Sequence, residues 1–323
     1  MVKTSKLFIV CLLFISILPV LTFSTESSKN SIRIWTAPSE ASLVHDIVER
    51  FKSEHPELSI DIKVHGPEST LMGVYTSVAD IAVMGREMRV PAEFMAFTWV
   101  WQYPPTLIRI ANTAFGSQTR ESTLAVYLNK KNPINEISIA QLEAIFGEEH
   151  KESKSNIRSW NELGIKISTQ SQQIHPLSLS VDSPTCLFFQ HAVLADSYKW
   201  NASTREYPSI TQLLSDISKD ESAIGYGASS TIPEGVKVIA VKSNSNSKSY
   251  YPSDDSITSE KYPLSRSLWV IINKKPYGSI PTKTKAFLDF ILSNSTQDFI
   301  SHHTGYLPLS VQSSASEGAK LND

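Results

Sequence analysis

Ser31-Ile32-Arg33-Ile34-Trp35-Thr36-Ala37-Pro38-Ser39, followed by Leu43, Val44, Ile47, Val48 and Phe51, sets the pattern from which the fold is read. Ile32 and Ile34 recur at the period of two that a strand requires. Thr36 to Ser39 breaks that period, and the next apolar residues return at three- and four-residue intervals, which predicts a helix. Ser39 stands where a hydroxyl caps such a helix. Pro56 ends it, and Ile60, Ile62 and Val64 alternate as a second strand. His65 to Thr70 turns into a short helix, and Ala79-Asp80-Ile81-Ala82-Val83-Met84 reads as a third, buried strand. Strand, helix, strand, helix, strand is the order of a parallel sheet covered by helices, an α/β fold.

Two further apolar strands follow around Leu107–Ala111 and Leu124–Leu128. From Asn132-Pro133 a second unit begins, with helices over Ser138–Phe146, from Ser183 through Val193, and over Ile210–Ile217. Leu177, Leu179 and Ile224–Gly227 supply its strands, and Val236, Val238 and Val241 run back to the first unit. There Leu268–Ile272 adds a strand and Thr284–Leu292 a closing helix. The expected division is a first lobe of residues 31–130 plus 237–323, with a second lobe of residues 131–236 inserted in it. Two α/β lobes joined by crossing segments imply an interlobe cleft, a common place for a small ligand.

The amino terminus reads as an export signal. Lys3 and Lys6 precede an apolar run from Leu7 to Leu21, and Thr22-Phe23-Ser24 offers a cleavage site, so residues 1–24 are expected to be removed. The chain has 30 basic and 32 acidic residues; loss of Lys3 and Lys6 leaves 28 against 32, a net charge of −4. An acidic balance argues against nucleic acid and anionic membranes as partners. Cys11 leaves with the leader, so Cys186 stands alone and forms no internal disulfide.

Tyr262-Pro263-Leu264-Ser265-Arg266-Ser267-Leu268-Trp269-Val270-Ile271-Ile272-Asn273-Lys274-Lys275-Pro276, with Gly305-Tyr306-Leu307-Pro308-Leu309 after it, resembles the last third of phosphate-type periplasmic substrate-binding proteins of ABC importers. Leu124 to Pro133, continued by Gln141 to Phe146, is similar to their middle signature, and Ala79 to Glu87 to a third. The resemblance implies a two-lobed type II periplasmic binding protein fold that closes on its ligand by a hinge. It implies capture of inorganic phosphate for a membrane permease, in the periplasm or outside the cell, with no covalent chemistry and no cofactor. A divergent receptor for another small anion or metabolite is the alternative.

A phosphate dianion needs many donors in a dry cleft, and helix N-termini supply free N–H groups and a positive dipole end. Three hydroxyl-bearing turns ahead of helices fall where the family holds its anion: Pro38 with Ser39, Ser69 with Thr70, and Ser183 with Thr185. Asp80 is expected to face the ligand and accept the proton that phosphate carries and sulfate lacks. The chain departs from the family at three points: its first junction, Ala37-Pro38-Ser39, lacks the usual glycine-serine start, and two more departures concern the third junction. Pro184 replaces the glycine between Ser183 and Thr185, removing a backbone donor, and Leu179 stands where the family has an arginine. Arg33, Arg86, His175 or Arg266 would compensate if the fold brought one into the cleft. Arg86, just beyond the Asp80 strand, is the foremost of these.

Enzymatic chemistry finds no constellation. The chain has no G-x-S-x-G elbow around any serine. His302-His303 are adjacent and therefore do not share a helix face, so no metal site is expected.

Overall fold

The computed structural model describes residues 30–117, 122–303 and 305–322. The first stretch runs β1 (Ser31–Thr36), α1 (Ala41–Glu54), β2 (Ser59–Val64), α2 (Pro67–Tyr75), β3 (Ile81–Met84), α3 (Ala92–Trp101) and β4 (Thr106–Thr113). The middle holds β5 (Ala125–Asn129), β6 (Glu136–Ser138), α4 (Ile139–Phe146), β7 (His175–Leu179), α5 (Pro184–Leu194), β8 (Arg205–Tyr207), α6 (Ile210–Ile217), β9 (Ala223–Gly227), β10 (Val236–Lys242) and α7 (Asp254–Thr258). The chain then returns through β11 (Ser267–Ile272), α8 (Thr282–Leu292), α9 (Asn294–Ser301), β12 (Tyr306–Leu307) and α10 (Val311–Ala319).

Two six-stranded sheets result, ordered β12-β4-β11-β3-β1-β2 and β6-β10-β5-β9-β7-β8. β1 pairs in parallel with both β2 and β3, as the opening pattern predicts, and β11 joins antiparallel between β3 and β4. Alternation buries Ile32 and Ile34 on the face that receives Leu43, Ile47 and Phe51 of α1. Phe51 is wholly buried and meets Phe287 and Phe290 of α8 edge-on at 5.1 and 5.2 Å, contacts worth about 0.5–1.5 kcal/mol each beyond the area they bury. The opposite face of the same sheet (Ala82, Met84, Ile271) is covered by α2 and by Phe97 of α3.

The second lobe is built likewise. Leu124, Val126 and Leu128 face Phe146, Trp160 and Phe189, while Ala125 and Tyr127 face Leu213, Leu214 and Ile217 of α6. This corrects the boundaries read from sequence. β5 and β10, placed with the first unit by the division at 131–236, lie side by side near the middle of the second sheet. Every residue of β5 is buried, and a strand covered on both faces carries no sign of which sheet it joins. Ile257, Tyr262 and Leu264 also belong to the second core.

The two crossing segments are tied to each other. Thr113 N donates to Arg266 O at 2.9 Å, Arg266 N to Thr123 Oγ1 at 3.2 Å, and Thr123 Oγ1 to Thr113 O at 2.6 Å. The expected leader and its cleavage site lie outside the described residues. Among the described residues no helix is long and apolar enough to cross a membrane.

Candidate functional site

The C-terminal ends of β1 and β3 carry the turns that face the second lobe. Ala37 N donates to Val83 O, Glu40 N to Ala37 O, and Tyr306 Oη to Ser39 O at 3.0 Å, which pins the turn after β1. The α1 N-cap is Glu40, not Ser39, and no side chain caps the helix. Ser39 is half-buried one residue further out, and Pro38 is exposed.

The second junction also departs from expectation. α2 begins at Pro67 with Gly66 as N-cap, because proline's fixed φ suits the first helical position. Ser69 and Thr70 therefore sit inside the first turn. Ser69 is exposed, and the Thr70 hydroxyl donates back to His65 O and Gly66 O at 3.2 and 3.0 Å. Neither caps the helix.

Ser183 is the one genuine cap of the three. Its Oγ accepts from Cys186 N at 3.2 Å, and Pro184 opens α5. Thr185 is buried beside it. Cys186 is fully buried, and burial pushes its thiol above the usual range, so it is an inert core residue.

Asp80 does not enter this region. It precedes β3, at the end of the first sheet opposite the cleft, where Arg33 grips it. Arg33 Nη2 donates to Oδ1 at 2.7 Å, and Arg33 Nε and N donate to Oδ2 at 3.2 and 2.8 Å. Burial acts to raise the Asp80 pKa, but the Arg33 hydrogen bonds and charge outweigh it and hold the carboxyl below its ordinary value. The expectation for Asp80 is thus off by the length of one strand: the side chain that reaches the cleft from β3 is Arg86. His175 is likewise remote, paired with Asp220 at 2.7 Å.

Arg86 is buried, and its guanidinium forks onto Glu93 Oε1 and Oε2 at 2.7 and 2.8 Å. Glu93 also accepts from Arg89 N, and Arg89 Nη2 donates to Glu68 at 2.8 Å. The Nε–H groups of Arg86 and Arg89 are buried and find no hydrogen-bond partner among the described residues. Both arginines line a cavity of about 80 Å³ between the lobes, closed on the other side by Pro184, Leu187 and Phe188 of α5. Arg266, on the returning crossover, lines the same cavity with its guanidinium carbon 5.0 Å from the Phe188 ring centroid. Tyr198 bridges the rim by donating to Val90 O at 3.4 Å. On the other side of the α5 N-terminus, Ser180, Ser183, Thr185, Ser209, Ser229 and Thr231 face a wider recess of about 550 Å³, with Leu179 in its wall.

Of the expected residues, then, the fold gathers Arg86, Ser183 and Thr185 around one helix end, with Arg266 joining them. Arg89, Glu93 and Tyr198 escape a reading of the sequence, because a loop arginine with a carboxylate four residues on has no periodic signature. Among the described residues no group of three His, Cys, Asp or Glu side chains is placed to hold a metal ion.

Two α/β lobes joined by paired crossovers, with donors converging between them, define a two-lobed solute-binding protein. The chain belongs to the PBP superfamily domain family, whose model matches residues 24–295. It is 25% identical over 270 residues to the phosphate-binding protein PstS of Pseudomonas aeruginosa, covering 83% of this chain and 80% of that one. In fold it is similar to PstS of Borrelia burgdorferi, with a TM-score of 0.59 at 16% identity over 87% of this chain and 99% of that one. An ABC-type phosphate transport receptor from Vibrio cholerae gives 0.54 at 20% identity, over 85% and 99%.

Proposed function

We propose that the chain captures inorganic phosphate outside the cytoplasm and hands it to a membrane-embedded ABC permease, as a receptor without covalent chemistry. The observation that carries this reading is the gathering of Arg86, Arg89 and Arg266 around a cavity that abuts the capped start of α5, with the buried Nε–H groups of Arg86 and Arg89 finding no acceptor among the described residues. Buried donors in native proteins almost always have a partner, and an oxyanion supplies acceptors to guanidinium groups and helix-end amides together. Arg86, Arg89 and Arg266 take the part that the family gives to the arginine at the position of Leu179. Asp80 is not the acceptor for the ligand's proton. Glu87 and Asp196, both lining the cavity, are the carboxylates within the site that can be.

Leu179 in the recess wall and the absence of Asp80 from the cleft favour a second reading, a receptor of the same fold for another small oxyanion or metabolite. A thermal-melt screen against phosphate, sulfate, arsenate and small carboxylates separates the two. Phosphate giving the largest upward shift supports the first reading. A larger shift with a carboxylate or other metabolite supports the second, and no shift with phosphate overturns the first.

A further inference from the structure

We propose that the end of the first lobe remote from the cleft docks on an anionic lipid surface, through the outer face of α3 and the turn that follows β11. α3 is unusual in what it leaves in water. Met95, Ala96, Trp99 and Val100 recur at helical spacing and are all exposed, Trp99 by 75% and Val100 by 55%. Only Phe97 is fully buried against the sheet. An apolar stripe facing solvent along the later turns of a helix marks an interaction surface rather than scatter.

The far end of that stripe meets a second feature. Tyr103 Oη donates to Asn273 Oδ1 at 2.8 Å, which joins the exit of α3 to the turn after β11. In that turn Gly278 N donates to Lys275 O, and Tyr277 has φ of 58° with its ring wholly exposed. A bulky residue is uncommon in the left-handed region, and this one carries its ring into solvent. Lys274 and Lys275 precede it, with no ion pair among the described residues, beside Pro104 and Pro105. From Asn273 to Lys285 the chain carries four lysines and no acid.

An apolar stripe ending in exposed tryptophan and tyrosine rimmed by lysines has the chemistry of a bilayer interface. The rings settle at headgroup depth, and the ammonium groups meet lipid phosphates. The acidic balance of the whole chain argues against such a partner only on average; the segment after β11 forms a locally basic edge. That edge lies where β1 and β4 begin, opposite the ends of β1 and β3 that face the cleft, so docking leaves the lobes free to close.

Co-flotation with vesicles of phosphatidylcholine, with and without phosphatidylglycerol, tests this. The expected result is association with the phosphatidylglycerol vesicles that high salt releases. Trp99→Ser with Val100→Ser, and separately Lys274→Gln with Lys275→Gln, should each weaken it by about tenfold or more. All of these side chains are exposed, so melting temperature and phosphate titration should not change. Absence of association with either vesicle, or association that both double variants retain, overturns the proposal. So does lipid-independent self-association that Trp99→Ser abolishes, which would assign the face to a second copy of the chain. Phosphate titration runs separately, so this proposal and the ligand reading fail independently.

Discussion

The carboxylates of Asp80 and Glu93 are both gripped by arginine, and their surroundings give them different consequences. The Arg33–Asp80 pair is half-exposed at the end of the first sheet away from the cleft, so its loss costs about 1 kcal/mol. Asp80→Asn is expected to lower the unfolding midpoint slightly and to leave the ratio of phosphate to sulfate affinity unaltered in calorimetry. A changed ratio would return Asp80 to the site. Glu93 is mostly buried. Burial acts to raise its pKa, and the Arg86 hydrogen bonds and charge more than reverse that, so it lies below the ordinary carboxylate value. A depressed folded pKa means stabilisation present above the unfolded value of about 4.3 and lost as pH falls through the folded value. Denaturant titrations from neutral to acid pH should show this loss in the wild type and its absence in Glu93→Gln. That variant should also be less stable at neutral pH by about 3–5 kcal/mol, since it leaves a buried guanidinium unpaired. Equal acid sensitivity of the two proteins would contradict the pairing.

Among the elements, α2 in the first lobe and α5 in the second each depend on one small residue. A Cβ added at Gly73 of α2 would lie 2.6 Å from the Trp35 ring of β1 and 2.9 Å from Ala79 Cβ. Gly73→Ala should therefore destabilise by about 1–3 kcal/mol, the usual cost of overpacking, in a chemical melt followed by circular dichroism; a neutral result would mean that α2 sits less tightly on the sheet. Ser183→Ala removes the α5 cap and is expected to cost about 1 kcal/mol and to weaken anion binding. The alternation of Ile32, Ile34, Ile60 and Ile62 and the spacing of Leu43 to Phe51 make the first parallel strands and α1 legible in the amino-acid sequence. α3 is not legible there, because nine of its ten residues from Ala92 to Trp101 are apolar or threonine and no period stands out. The caps mislead for a related reason. Ser39 and Ser69 are good capping residues by type, but Glu40 and Gly66-Pro67 take the positions, and backbone geometry chooses between them. Only Ser183, with proline directly after it, combines both signals.

At the scale of the whole molecule, the two sheets are joined by segments that hydrogen-bond to each other through Thr113, Thr123 and Arg266. Sequence order shows that one unit is inserted in another. It does not show that β5 and β10 belong to the insert, because strand pairing over a hundred residues apart leaves no local trace. The site is legible in part. Arg86 lines the cavity beside Pro184, and Ser183 and Thr185 line the recess on the other side of the same helix end, whereas Asp80 stands away from the cleft by the length of β3. A ligand that binds only the folded, closed form should stabilise it by about 2.7 kcal/mol at a hundredfold excess over its dissociation constant. The central claim is that an oxyanion is held between the lobes by Arg86, Arg89, Arg266 and the start of α5. Isothermal titration of phosphate into the wild type and into Arg89→Gln tests it most directly. Arg89 is suited to this because it is partly exposed and its loss should not unfold the chain. The account predicts one-site binding to the wild type, weakened about tenfold to a hundredfold in the variant by loss of a charge-assisted contact. Absence of binding at millimolar phosphate, or equal affinity in the two proteins, would contradict it.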